Sequence, residues 1–295
     1  MRGLVGFLIF LIFLTNCERK RVIDQFEDSE IEEISFKIGT ALTQNKPGAL
    51  VSLFGFSQLM DSAMNVAKSS GYSDYQIKGM GLSNPSNFNN GLKTTLTYLC
   101  YYSSIDGNVV LSSKTLENNK VILTYVYTNP NSLFEILDFE LITNGYQLFI
   151  GDINIVHRDR KLSEWVLTNI SSPGYSENIS ELVKDLEKAY EAGIQEQWDR
   201  AEYFYGRVPE EYLSDPMILE YSIPVTNMFD RAYCIRIFNE TIQYSKDDRA
   251  KIYWRIRKEL FFQETDSLEL LVQELDAKIG RNKITQEILK NESNH

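Results

Sequence analysis

Asp152 and His157 bound the strand-like run Asp152-Ile153-Asn154-Ile155-Val156-His157, and they are side-chain types that commonly share a proton in general acid–base catalysis. Five positions separate them, and an odd separation on a regular strand sends side chains to opposite faces, so the spacing argues against a dyad. His157 runs into Arg158-Asp159-Arg160-Lys161 and reads as a solvated strand exit. The sequence holds no Gly-x-Ser-x-Gly elbow, phosphate-binding glycine loop or His-Glu-x-x-His signature, so hydrolase, kinase and zinc-protease chemistry lose their usual support. Two histidines and three cysteines leave few ligands for a Cys/His metal centre. The doublets Asp247-Asp248 and Glu210-Glu211 lack the spacing of a calcium loop. No residue is assigned a catalytic role, and neither a metal nor a cofactor is expected.

The residue with the clearest chemistry is Cys17. Met1-Arg2-Gly3 is a short positive start, and the apolar run from Leu4 to Leu14 is shorter than the roughly 17–25 residues that span a bilayer. The run closes on Leu14-Thr15-Asn16-Cys17 and turns at once into Glu18-Arg19-Lys20-Arg21. This arrangement resembles the lipobox of bacterial lipoproteins, with Asn16 standing where glycine, alanine or serine is usual. The resemblance implies cleavage of residues 1–16 as a signal peptide and acylation of Cys17. Residues 17–27 then form a tether to a membrane of the bacterial envelope, with several acyl chains giving stable anchorage. The other two cysteines, Cys100 and Cys234, sit among apolar neighbours and read as buried small hydrophobes.

Beyond the tether the chain divides at Ser171-Ser172-Pro173-Gly174-Tyr175-Ser176, a turn-rich stretch between a strand-rich and a helix-rich half. Residues 18–170 carry 13 basic and 17 acidic side chains, and residues 171–295 carry 16 and 24. The net charge of −11 excludes a general nucleic-acid binder, which needs clustered lysine and arginine. In the first half, Ile31, Ile34, Ile38 and Leu42 form one helical stripe, ended by Asn45-Lys46-Pro47-Gly48. Leu50, Leu53, Phe54, Met60, Met64 and Ala67 form a second, and Phe88, Leu92, Leu96, Leu99 and Cys100 a third from Pro85. After Asp106-Gly107, four apolar runs are separated by Asn118-Asn119, Asn129-Pro130-Asn131 and Asn144-Gly145, which predicts a four-stranded antiparallel meander. Val121, Leu123, Tyr125 and Tyr127 fall on one face, and Ile122, Thr124, Val126 and Thr128 on the other. The fold class is α+β, helices on a curved antiparallel sheet, followed by an all-α helical-repeat domain.

Helices leading into Leu137-Asp138-Phe139-Glu140-Leu141, Asn144-Gly145-Tyr146-Gln147-Leu148 and Gly151-Asp152-Ile153-Asn154-Ile155 resemble the cone-shaped fold of nuclear transport factor two and ketosteroid isomerase. The resemblance covers residues 28–170 and implies a pocket that in that family hosts Asp, His or Tyr chemistry. No strand reads around Tyr72–Met80, where that fold has one. In the second half, Ile179, Leu182, Val183, Leu186, Ala189, Tyr190 and Gly193 share a helical face. Trp198-Asp199-Arg200-Ala201 recurs as Phe229-Asp230-Arg231-Ala232 and more loosely as Thr265-Asp266-Ser267-Leu268. The spacing resembles tetratricopeptide repeats over residues 177–282, with Ala201 and Ala232 as the small residues that let paired helices approach and 283–295 as a polar tail.

Repeats of this kind usually present a face to a protein or peptide, and Tyr203, Phe204, Tyr205, Tyr233 and Tyr253 are the candidate anchors, a minority of them expected to be exposed. The expected function is a membrane-anchored, non-enzymatic interaction or scaffold module. The alternative is an isomerase, dehydratase or hydrolase using the cone pocket.

Overall fold

The computed structural model describes residues 22–292 apart from 24–25, 106–107, 118–119, 130–131, 173–174, 216–217 and 264–265. Cys17, the leader and most of the tether lie outside these residues, as does the Pro173-Gly174 junction.

Five helices come first. Helix α1 (Asp28–Thr43) buries Ile31, Ile34, Ile38 and Leu42, the stripe read from the sequence, and the Glu30 carboxylate accepts from Glu27 N at 3.1 Å to close its first turn. The second stripe divides in two, α2 (Pro47–Val51) and α3 (Phe56–Ser69). The break has a tertiary cause: Ile150 N donates to Leu53 O at 2.8 Å and Gly55 N to Ile150 O at 3.0 Å, so the chain leaves the helix to bridge a strand. Around Tyr72–Met80 lies a short helix, α4 (Asp74–Gly79), capped by Ser73. Helix α5 (Pro85–Ile105) buries Phe88, Leu92, Leu96, Leu99 and Cys100 on one stripe.

Strands β1 (Val109–Glu117), β2 (Lys120–Asn129), β3 (Ser132–Thr143) and β4 (Leu148–Ile155) form the meander, and β5 (Arg160–Lys161) adds a short fifth edge. The order is β1-β2-β3-β4-β5 with every neighbour antiparallel. Alternation divides the sheet as the sequence implied. Val121, Leu123, Tyr125, Tyr127, Leu137, Phe139 and Leu141 bury with α1, α3 and α5. From the opposite face, Val126, Phe134 and Ile136 bury with the second half of the chain.

That second half is helical: α6 (Leu162–Ser171) follows β5, then α7 (Tyr175–Ile194), α8 (Trp198–Tyr205), α9 (Leu219–Phe229), α10 (Arg231–Tyr244), α11 (Asp248–Phe262), α12 (Leu268–Ile279) and α13 (Lys283–Glu292). The chain is thus α+β followed by all-α. From α7 onward the helices pack on their successors, except that α7 receives both α8 and α9. Asp199 lies in the first turn of α8, and Asp230 caps α10 by accepting from Tyr233 N.

Two expectations about this half need correcting. Ala201 is buried, but Ala232 is exposed, and the close approach falls instead at Gly193, where an added Cβ would lie 2.6 Å from the Met228 sulfur. Within 283–295, residues 283–292 form α13, with Ile284, Thr285 and Ile288 buried, so most of the expected polar tail is a packed helix. The helical half covers one face of the sheet, with which it shares an apolar cluster.

Candidate functional site

Antiparallel register brings a set of ionisable side chains together where the sheet meets the helices. Tyr127 pairs with Glu135 across β2 and β3, and Leu137 pairs with Ile155 across β3 and β4, which sets Glu135 level with the residues just beyond β4. There the chain turns through a 3-10 segment (Val156–Arg158) and Asp159 in a left-handed conformation, delivering His157 and Arg158 to the same place. Tyr127 Oη donates to Glu135 Oε2 at 2.6 Å, and Arg158 Nη2 donates to Glu135 Oε1 at 3.3 Å. Glu135 is 2% exposed. Burial and the adjacent Glu135 charge hold the Tyr127 phenol well above its ordinary range.

His157 is buried, which corrects its reading as a solvated strand exit. The 3-10 turn folds it inward, where it packs against the Tyr253 ring at 5.3 Å while its carbonyl accepts from Trp254 Nε1 at 2.9 Å. Arg158 Nε donates to His157 Nε2 at 3.1 Å, so the neutral ring carries its proton on Nδ1. Nδ1 has no hydrogen-bond partner among the described residues. Burial, reinforced by Arg158 and opposed by Glu135, lowers the imidazole from 6.5 to about 4, so it is neutral at pH 7.

Asp152 does not join this group, and the regular strand assumed between it and His157 ends at Ile155, before the 3-10 turn that carries His157. The Asp152 carboxylate accepts from Ser163 Oγ at 2.6 Å, Ser163 N at 3.1 Å and Ile153 N at 2.9 Å, which ties β4 to the start of α6. Burial raises its pKa despite the hydrogen bonds from Ser163. This is a positioning contact between a strand and a helix N-terminus.

A cavity of about 100 Å³ opens beside the Tyr127–Glu135–Arg158 group. Its sheet side is Tyr127, Glu135 and Ile155, and α5 contributes Tyr98, Leu99 and Tyr102. Trp165 of α6 lines it too, with the Arg158 guanidinium 5.9 Å from the ring centroid. The remaining wall comes from the helical half: Ile179, Ser180 and Val183 of α7 and Tyr221 of α9. On the opposite face of the sheet a polar groove of about 600 Å³ holds Asp138, Glu140, Lys161 and Arg249 in ion pairs, Glu140 accepting from Lys120 at 2.6 Å and Lys161 at 2.9 Å.

The five aromatic residues proposed as anchors separate by burial. Tyr203 is 63% exposed, with Arg207 6.0 Å from its ring centroid. Phe204, Tyr205 and Tyr233 are half-buried: Phe204 lies under Lys188 and Arg200, Tyr205 stacks on Phe229, and Tyr233 sits beneath Arg236. Tyr253 is fully buried and cannot serve as a surface anchor, because its ring meets Phe134 of β3 edge-on at 5.1 Å and its hydroxyl donates to Glu220. Tyr190, read from the sequence as part of an apolar helical face, and Trp198, read as the opening of a repeat, are instead exposed on the α7–α8 hairpin together with Ile194, which the sequence reading did not single out. That reading also passed over Glu135. A signal was available: Glu135 alternates in phase with Leu137, Phe139 and Leu141, a carboxylate on an otherwise apolar strand face.

Comparison with family models, with curated proteins and with solved structures finds no match. Among the described residues no group of acidic, histidine and cysteine side chains is placed to hold a metal, and no helix is long and apolar enough to cross a membrane.

Proposed function

We propose that this protein is a lipid-anchored lipoprotein of the bacterial envelope whose helical half is a non-enzymatic interaction module for a protein partner. The observation that carries the reading is the α7–α8 hairpin, where Tyr190, Ile194, Trp198 and Tyr203 are all exposed beside Arg200 and Arg207. Tyr190 and Ile194 are four residues apart and share one helical face. Tryptophan, tyrosine and arginine dominate binding energy at protein interfaces, and here they sit at the first helix pair of the repeat-like half. Anchorage rests on the apolar run that ends at Cys17.

The alternative enzyme reading draws on the cavity beside Glu135. Its chemistry is less favourable, because both Glu135 oxygens are engaged, by Tyr127 and Arg158, while neutral His157 is turned into the seam with α11.

A photo-crosslinking residue at Trp198 or Tyr203 in intact cells should trap one and the same protein. The same group at Tyr75, 86% exposed on α4, should trap none. Identical products from all three positions would sink the interaction surface. Labelling with a palmitate analogue should mark the wild type and miss Cys17→Ala, and equal labelling of both removes the anchor.

A further inference from the structure

We propose that the cavity at the seam of the two halves is a binding site for a small uncharged ring compound carrying one hydroxyl or amide group. The proposal is independent of the protein-interaction surface on the α7–α8 hairpin.

Size sets the first limit. A cavity of about 100 Å³ is below the roughly 300–1,000 Å³ of drug-sized pockets and suits a single substituted ring. Shape sets the second. Tyr98, Tyr102, Tyr127, Trp165 and Tyr221 contribute five aromatic rings to the lining, and rings favour a planar guest through edge-to-face and offset contacts. Leu99, Ile155, Ile179 and Val183 complete an apolar wall.

Charge sets the third limit. Glu135 and Arg158 line the cavity as an ion pair at 3.3 Å, and the Glu135 side chain is 3% exposed. The pair is compensated within itself, so a ligand carrying a net charge would enter an almost dry site with no counter-charge of its own. A neutral ligand avoids that cost. One polar group on the guest is accommodated, because the hydroxyls of Tyr102, Tyr221 and Ser180 border the space and each hydroxyl can both donate and accept. Tyr98, 37% exposed, marks where the cavity reaches the surface. Since α7 and α9 supply one wall and the sheet and α5 the other, the occupant bridges the two halves and stabilises their contact.

The test uses the full chain labelled with 5-fluorotryptophan, which reports separately on Trp165 in the cavity wall and on Trp198 and Trp254 elsewhere. Trp165→Phe assigns the resonance. The probe is p-cresol, compared with benzoate and benzylamine at neutral pH. The expected result is a saturable shift of the Trp165 signal with p-cresol, Trp198 unmoved, and affinities for both charged probes weaker by about tenfold or more. Ser180→Phe, which fills the cavity from the half-buried α7 side, should weaken p-cresol binding by a similar factor. A Trp165 signal indifferent to p-cresol up to its solubility, equal affinity for the charged probes, or undiminished binding in a folded Ser180→Phe chain would each overturn the proposal. Should Ser180→Phe fail to fold, the charge selectivity of the wild-type chain decides alone.

Discussion

Arg249 Nη2 donates to Asp138 Oδ2 at 2.6 Å and its Nη1 to Oδ1 at 3.1 Å, so a guanidinium from α11 grips both oxygens of a carboxylate on β3 that precedes it by 111 residues. Thr124 on β2 donates to the same Asp138 oxygen at 2.8 Å, and Asp247, which caps α11, holds Arg249 from the other side. Arg249→Met should therefore leave Asp138 in a nearly dry site without its cation, a loss of about 3 kcal/mol. Urea unfolding reads this as a lower midpoint with an unchanged slope. An unaltered midpoint would show the pair to be incidental.

The shared core beneath that pair carries a second expectation. Val126, Phe134, Ile136 and Val156 bury against the helical half, so residues 22–172 produced alone, compared with residues 22–295, would expose these side chains to water. That fragment should aggregate or bind a hydrophobic dye strongly, whereas residues 22–295 should not. A monodisperse, dye-silent fragment would establish that the sheet half stands by itself.

His157 makes stability depend on pH. Its pKa falls from 6.5 to about 4 on folding, chiefly because burial disfavours the charged ring, so its contribution is fully present above about pH 6.5 and is lost as pH falls through 4. The full difference is about 3 kcal/mol. Asp152, raised by burial, works in the opposite direction, so the informative quantity is the difference between wild type and His157→Gln across that range. The variant should lose less stability on acidification, and parallel pH profiles would contradict the assignment.

Burial pushes the Cys100 thiol up to about 12 and the Cys234 thiol up to about 11. In a Cys17→Ala chain, iodoacetamide at about pH 8 should modify neither under native conditions and both in denaturing guanidinium. Rapid native labelling of either would place that thiol at the surface.

Gly280 follows α12 at φ +84°, and a Cβ there would lie 2.5 Å from Ser112 O on β1. The contact is tight because Ser112 Oγ donates to Gly280 O at 2.8 Å and the next turn begins at Asn282, which donates to Ser112 Oγ. Gly280→Ala should cost about 2 kcal/mol, part from the left-handed backbone and part from the displaced strand. Thermal unfolding measures it, and an unchanged melting temperature would mean that the junction yields freely.

Elements whose signal is local were legible from the chain alone. The Ile31–Leu42 stripe, the Asn-rich turns bounding the strands, the two faces of β2 and the helical second half follow from periods of 3.6 and 2 and from turn chemistry, which neighbouring residues set. The break at Leu53–Gly55 was not legible, because its cause is a pair of hydrogen bonds to Ile150, almost a hundred residues away. The burial of Tyr253 beside the exposure of Tyr203 was equally hidden: helical spacing assigns a residue to a face, but only the packed neighbour decides whether that face is wet.

The candidate site divides in the same way. Sequence spacing by itself marked Cys17 at the end of its apolar run and set Asp152 apart from His157, whereas Glu135, in phase with an apolar strand face, went unread. Tertiary structure decided what those placements mean. Register across β2, β3 and β4 joined Tyr127, Glu135 and Arg158, and the return of α7 and α9 over this end of the sheet walled it into a cavity open at Tyr98. The physical reason is that periodicity is written between near neighbours, whereas desolvation and charge pairing depend on which distant segment covers them.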